Sequence, residues 1–402
     1  MRVLLINQVF HPDPQATSQY LARLAEELAG RGHQVTVLTA RRDYDHSTHR
    51  HPARETWRRV DIVRVWNTGL GHASTLRRAV DFLTFLLSVF LRALFLPRAD
   101  VVVTLTTPPL VSVLGGILAR RWRARFVYWV MDLNPDQVIA IGWLKPDTLA
   151  ARLLETASRW SLNRADRIIV LDRFMRERLL AKGLPAEKID LIPLWAQHEV
   201  AFDPAGRERF RREHKLENKF VVMYAGNHSP CHPLDTLVHA AELLRDDSRL
   251  HFCFVGGGID WPRLRNRARE EHRANVTFLD YQPFDQLPAL LSAADLQVVV
   301  LGDPFVGISH PCKVYNFLAA QRPFLYVGPD PSHIADLIRD AGLEKVTASF
   351  RHGEAPALAA ELRRLAHASV NGDPSPPWPE KGLTAPWSEA AILPKIIAVL
   401  ET

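Results

Sequence analysis

The chain is patterned as short runs of consecutive apolar residues separated by stretches of helical periodicity, as parallel strands covered on both faces require. Arg2–Asn7 opens as a strand and Val9–Thr17 follows as a loop holding Pro12 and Pro14. Ser18–Arg31 then sets Leu21, Leu24, Ala25 and Leu28 on one helical face, ended by Gly30 and Gly32. Gln34–Thr39 returns as a strand, completing a βαβ unit. Further strands are predicted at Ile62–Trp66, Val101–Leu105, Phe126–Val130, Arg167–Leu171 and Ile189–Ile192, with helices at Pro109–Arg120 and Thr148–Asn163. Residues 185–218 look like a junction: Pro193 breaks the last strand, and Glu199–Glu217 is charged and turn-rich.

A second series starts beyond it. Strands at Phe220–Ala225, His251–Val255, Val276–Leu279, Leu296–Leu301 and Phe324–Val327 alternate with helices at Asp235–Leu244, Trp261–Arg273, Leu287–Ala293 and Cys312–Gln321. After Val370 the chain carries Pro374, Pro376, Pro377 and Pro379, and it closes with a helix at Ser388–Leu400. The expectation is an α/β protein of two doubly wound domains, 1–197 and 198–375, with a C-terminal segment 376–402. Sheets of this kind bind ligands beyond the carboxyl ends of their strands, so two facing domains would place a site in the cleft between them.

Length and composition agree with that organisation. A chain of 402 residues exceeds what one core supports, and 47% hydrophobic with 23% charged residues is globular. Cys231, Cys253 and Cys312 show no paired spacing, which points to a reducing compartment. The opening strand leaves no secretory signal, so a cytoplasmic location is expected. Charge is unevenly spread: residues 1–197 hold 28 Lys+Arg against 18 Asp+Glu, and residues 198–402 hold 22 against 26. The basic half should meet an anionic partner, either a membrane surface or a phosphorylated substrate. No nucleic-acid module accompanies the charge, so no nucleic-acid partner is expected. The run Val80–Leu96 is apolar with Arg77, Arg78 and Arg98 at its edges, and Arg120, Arg121, Arg123 and Arg125 follow. It is too short and too charged to span a bilayer. It reads either as a buried core helix or as a helix lying at the inner face of a membrane.

One stretch carries the most chemistry, Phe305–Pro323. Pro311 precedes the first turn of the helix predicted there, and Lys313 lies within that turn. Cations are disfavoured at a helix N-terminus unless an anion sits there too, so Lys313 is either a solvated surface lysine or part of a phosphate site. Gly226 and Gly256-Gly257-Gly258 end the first two strands of the second domain, and glycine there lets backbone approach a ligand. Together with Lys313 they bring three loops to one sheet edge. In the first domain Asp132 and Asp136 follow a buried strand. Asp132 could orient or deprotonate a hydroxyl, while Asp136 reads better as a cap or turn residue. His228, Cys231 and His232 have no second ligand pair at zinc spacing, so no metal is expected. The chain has no Walker loop, no Gly-x-Ser-x-Gly elbow and no Gly-x-Gly-x-x-Gly after the first strand, which weighs against ATPase, serine hydrolase and NAD enzyme readings.

In order along the chain, these pieces resemble the GT-B glycosyltransferases of family 4, in particular a bacterial polysaccharide branch. Arg31–Thr39 resembles that family's RGHEVTVLT strand, Thr106–Leu110 its TSPPL loop, Asp132–Asp136 its DLWPD loop and Lys188–Trp195 its KIxVIPNW linker. Gly226-Asn227, Val255–Gly258, Asn275–Leu279, Leu287–Asp295 and Pro311–Pro323 have counterparts as well. The departures are specific. Ile308 and Asn316 stand where many members carry two glutamates, and Gln15-Ala16 replaces a Gly-Gly pair in the first βα loop. Gln321 replaces a glycine, and His228 and His232 occupy a loop that often carries an Arg/Lys pair.

The resemblance implies two facing Rossmann-like domains and metal-free, cofactor-free transfer of a sugar from a nucleotide diphosphate donor, a UDP-sugar, with retention of anomeric configuration. The donor side would comprise Gly226, Asn227, His228, Gly256, Gly257, Ser309, Lys313 and Asn316, with uracil near Tyr281. Lys313 would stabilise the departing diphosphate. The acceptor side would comprise Gln15, Thr17 and Asp132, and the acceptor would be a lipid-linked sugar or saccharide at an anionic membrane. The terminal helix would cross back to the first domain. A sugar-nucleotide 2-epimerase of the same fold, or an inactive nucleotide-sugar-binding subunit, are the alternatives.

Overall fold

The structure is a computed structural model that describes residues 1–44, 49–71, 75–196, 200–270, 274–371 and 381–402. The proline-rich stretch 374–379, the end of the Trp261–Arg273 prediction and the boundary positions 197/198 and 375/376 lie outside those residues. Two compact units are resolved. Unit 1 comprises Met1–Pro193, Gly307–His310 and Ile392–Thr402, and unit 2 comprises Leu194–Val306 and Pro311–Ala391.

Unit 1 runs β1 (Arg2–Ile6), α1 (Ala16–Gly30), β2 (Gln34–Ala40), β3 (Arg54–Trp57), β4 (Val60–Val65), α2 (Thr75–Ala93), β5 (Val101–Thr104), α3 (Val111–Trp122), β6 (Arg125–Trp129), α4 (Asp136–Ala140), α5 (Leu149–Arg164), β7 (Arg167–Val170), α6 (Arg173–Ala181) and β8 (Ile189–Leu191). Its sheet has the order β3-β4-β2-β1-β5-β6-β7-β8 and is parallel throughout except for β3 against β4. The central strands are apolar on both faces because both faces are covered: Val101–Val103 and Phe126–Trp129 are buried without alternation. The edge strand β3, Arg-Glu-Thr-Trp, alternates exposed and half-buried positions, and its polarity suits an edge.

On α2, Phe85, Val89 and Ala93 recur every four residues and are fully buried, so one stripe of this helix joins the core. Buried Asp81 on the same helix accepts from Thr68 Oγ1, from Leu70 N at 3.0 Å and from Gly71 N at 3.1 Å. The other stripe of α2 is exposed. Among the described residues, no helix is long and apolar enough to cross a membrane. Helix α3 packs against both α2 and α5, so the three form one layer. At the far end of the chain Arg125 Nη2 donates to Val399 O at 3.2 Å, inside this same unit.

Unit 2 begins with α7 (Pro204–Glu213), where sequence reading gave only a charged, turn-rich segment. The helix forms because Asp203 accepts from Gly206 N at 2.9 Å and Pro204 occupies its first turn, a strong N-terminal signal. Its Arg207 and Arg211 both pair with Asp295, the former at 2.6 Å. There follow β9 (Phe220–Asn227), α8 (Asp235–Leu243), β10 (Leu250–Gly257), α9 (Trp261–Glu270), β11 (Val276–Leu279), α10 (Leu287–Ala293), β12 (Leu296–Val300), α11 (Lys313–Ala319), β13 (Phe324–Val327), α12 (His333–Asp340), β14 (Ser349–Phe350) and α13 (Ala355–Asn371). The six strands are all parallel, in the order β11-β10-β9-β12-β13-β14. The predicted helix Cys312–Gln321 is shorter at both ends. It stops because Gln321 adopts φ +51°, in the left-handed region that favours glycine. The last helix, α14 (Glu389–Glu401), has its residues from Ile392 onward in unit 1.

Candidate active site

In unit 2 the glycine loops converge as the strand ends predict. Gly226 pairs with Gly256 and Asn227 with Gly257 in the β9–β10 ladder, so both loops leave the sheet at one edge. Backbone conformation demands the first two of these glycines. Gly226 has φ +140°, and a Cβ there would lie 2.9 Å from Lys313 Nζ, while a Cβ on Gly256 would lie 2.1 Å from Gly226 O. Gly257 faces Tyr281 in the same way, a Cβ on it meeting the ring at 2.9 Å. Tyr281 itself is half exposed.

Lys313 is the first residue of α11, and its Nζ lies 3.5 Å from the centroid of the Tyr224 ring. Tyr224 is fully buried, and its hydroxyl donates to Asn227 O at 2.8 Å. The ammonium is sealed from solvent and has no hydrogen-bond partner among the described residues. Burial pushes its pKa down to about 7, opposed slightly by Cys312. A buried cation held only against a ring face is costly until an anion joins it. Asn316, one turn further along the helix, is buried.

His228 is likewise sealed. Its backbone N donates to Gly257 O at 2.7 Å, its Nδ1 lies 2.9 Å from Gly226 O, and its Nε2 has no partner among the described residues. The ring packs edge-on against Tyr224 and Trp261. Burial, then the neighbouring Lys313, push its pKa down to about 4, so it is neutral at pH 7. With Nδ1–H donating to Gly226, Nε2 is left as an acceptor. His232, which bonds Ser229 at 3.2 Å, is pushed down to about 3 by the same causes. Neither histidine supplies the positive charge of the Arg/Lys pair, so Lys313 is the cation of this loop cluster.

In unit 1, Asp132 follows β6. Its Oδ1 accepts from Gln137 Nε2 and from Ser309 Oγ, both at 2.9 Å. Burial raises its pKa above the usual carboxylate range, partly offset by the Ser309 hydrogen bond and by His310. Asp136 is the first residue of α4 and pairs with Lys182 Nζ at 2.9 Å, a structural role, although as an ion-pair partner and not as the cap expected of it. Gln15 caps α1 with its backbone alone; its N donates to Asp13 Oδ1 at 3.0 Å, and Thr17 lies half-buried in the first turn. Both stand beyond the carboxyl end of β1, which pairs with β5, which in turn pairs with β6.

Gly307–His310 also belong to unit 1, which splits the Phe305–Pro323 stretch. Leu133 N donates to Ile308 O at 2.9 Å, Ile308 is buried, and Gly307 at φ +70° lies against the Phe174 backbone. Ser309, placed on the donor side by sequence reading, is thus a partner of Asp132. Sequence reasoning missed His310 and Asp172, a buried pair at 2.9 Å in which Asp172 also caps α6 through Met175 N. Asp172 directly follows a predicted strand, and that position was the available signal.

Residues 16–195 match the family model for a glycosyl transferase 4-like domain, and residues 219–368 match the model for glycosyl transferases group 1. The chain is 28% identical over 343 residues to WcaI of Escherichia coli (strain K12), a candidate colanic acid biosynthesis glycosyl transferase, covering 79% of this chain and 81% of WcaI. Among solved structures, it is similar to Anabaena Alr3699/HepE in complex with UDP and glucose, at TM-score 0.73 and 15% identity over all of both chains. It is also similar to WaaG, a glycosyltransferase involved in lipopolysaccharide biosynthesis, at TM-score 0.69 and 16% identity over 99% of each chain. These structural likenesses establish a shared GT-B fold.

Proposed function

The chain belongs to the glycosyltransferases with a 4-like domain followed by a group 1 domain, and from that premise we propose that it moves a sugar from a UDP-sugar to a lipid-linked or saccharide acceptor in bacterial surface polysaccharide synthesis. Retention of anomeric configuration and independence from metal are part of the reading. The bound UDP of HepE and the names of WcaI and WaaG support the donor and the pathway class.

The observation that carries the reading is the buried ammonium of Lys313 above the Gly226 backbone, with no hydrogen-bond partner among the described residues. A nucleotide diphosphate supplies what it lacks. Diphosphate oxygens would accept from Lys313 Nζ, close to the glycine backbone, and the ammonium would stabilise the charge that grows as the sugar–phosphate bond breaks. Asn316 would bond a ribose hydroxyl, Tyr281 would stack on uracil, and Asp132 would orient or deprotonate the attacking acceptor hydroxyl. The reading is tested by Lys313→Met with isothermal titration of UDP and assay of transfer. Affinity is expected to fall by about 2–4 kcal/mol, the loss typical when one partner of a buried charged hydrogen bond is removed. UDP binding retained within a few-fold would overturn it.

One observation keeps a second reading in play. Buried Ile308 stands where the resemblance leads one to expect a glutamate, and a nucleotide-sugar-binding subunit without activity would tolerate that replacement. Such a subunit would bind UDP-sugar tightly, unaffected by EDTA, and transfer nothing to any acceptor.

A further inference from the structure

A second group of chemistry-bearing side chains lies in unit 1, in the connection from β2 to β3. Arg42 and Arg50 pair there as an isolated antiparallel bridge, and His51 N donates to Arg41 O at 2.9 Å. That register sets Asp43 opposite His49 and Arg41 opposite His51. Residues directly opposite in an antiparallel pair share a face, and so do residues two apart on one strand. Asp43, His49 and His51 therefore fall on one side of a short two-stranded ribbon.

The side chains meet as the register requires. His51 Nε2 lies 2.5 Å from Asp43 Oδ1, and the His49 and His51 rings stand edge to face with centroids 4.7 Å apart. One ligand atom from each of the three lies within 4.8 Å of the others. Two imidazoles and a carboxylate are a donor set that suits zinc. In a tetrahedral zinc site, bonds of about 2.0–2.1 Å put neighbouring ligand atoms about 3.3 Å apart, so the Asp43–His51 contact has to open by only about 1 Å. The Asp43 and His51 side chains are largely covered while His49 is exposed, so the open side of the set faces solvent. Arg41 shares the face, but its Nε donates to His51 O at 2.9 Å, which commits the guanidinium to the backbone.

We propose that Asp43, His49 and His51 bind a zinc-class divalent cation that clamps the β2–β3 connection. The clamp reaches the first βα loop through one side chain. Asp13 Oδ1 accepts from Gln15 N at 3.0 Å, and its Oδ2 accepts from Tyr44 N, next to Asp43, at 3.1 Å. Fixing Asp43 thus steadies the loop that carries Gln15. That this loop meets an acceptor rests on the reading above; the metal site does not. The three ligands belong to unit 1 and the donor loops to unit 2, and the ion takes no part in the transfer step.

The test is isothermal titration of the full chain, stripped with EDTA and then freed of it, with zinc chloride, with magnesium chloride and with UDP. One tight zinc per chain is expected, with magnesium at least ~hundredfold weaker because it demands oxygen ligands. The melting temperature should climb with zinc concentration. Asp43→Asn/His51→Gln should weaken zinc at least ~tenfold with UDP affinity unchanged. His49→Gln alters an exposed residue that cannot unsettle the core, and it should weaken zinc by a similar factor. Cobalt(II) should give a visible d–d band in the native chain that His49→Gln loses. Absence of zinc uptake by the native chain, or uptake that both variants leave unchanged, overturns the proposal. Loss of the donor reading would show separately, as native protein that binds zinc but not UDP.

Discussion

Lys313 and Asp132 are both deep-set charges at the carboxyl ends of parallel sheets, yet their own units treat them differently. Asp132 accepts two hydrogen bonds, from Gln137 and Ser309, which hold it in place and offset part of the cost of its burial. Lys313 donates none to the described residues and leans on the Tyr224 ring. A group that the fold hydrogen-bonds is positioned before substrate arrives. One that the fold leaves bare raises the energy of the unliganded protein and gives that energy back when an anion binds.

The largest effect should come from Asp132→Asn. Loss of a positioned base costs about 10²–10⁴ in kcat, and the KM for donor should hardly move in steady-state assays. A matched fall in donor affinity would instead assign Asp132 to donor binding and dissolve the contrast. Lys313→Met is next, and it should separate function from stability. Alongside the loss of UDP affinity, the unliganded protein should melt at the same or a higher temperature by calorimetry, because a neutral side chain of similar length removes an unpaired buried cation. A lower melting temperature would mean that the fold does depend on the ammonium. Gly226→Ala should cost about 1–3 kcal/mol of stability in urea titration, since its φ of +140° strains any residue with a side chain.

The most graded effect is on pH. As pH rises through about 7 unliganded Lys313 loses its proton, so UDP affinity should weaken by about tenfold per pH unit above that point, with proton uptake on binding. Asp132 has the opposite sense: its raised pKa means that turnover falls as pH drops through a point above the ordinary carboxylate range. A flat affinity profile between pH 7 and 9 would show that Lys313 keeps its proton without a ligand.

Much of this was legible in the residues because parallel strands buried on both faces read as uninterrupted apolar runs; Val276–Leu279, Leu287–Ala293 and Phe324–Val327 were bounded to the residue. The misses have local causes. Strand β3 is short, polar and at an edge, and α7 hides its capping signal within a charged segment. The site was legible in part. Glycines at strand ends and a lysine at a helix start are local signals, and the ladder placed Gly226 beside Gly256 as their positions implied. Ser309 and His310 were not readable in this way, because their partners Asp132 and Asp172 lie more than a hundred residues earlier.

What the sequence determined by itself was therefore the alternation of strands and helices, the two-unit organisation and the residue types offered at the strand ends, all set by periodicity and backbone conformation. Tertiary structure alone decided which charges are satisfied and which stripe of α2 is covered. Burial and hydrogen-bond partnership depend on which distant segments arrive, and Phe85 and Leu83 are equally apolar until the sheet covers one and leaves the other bare.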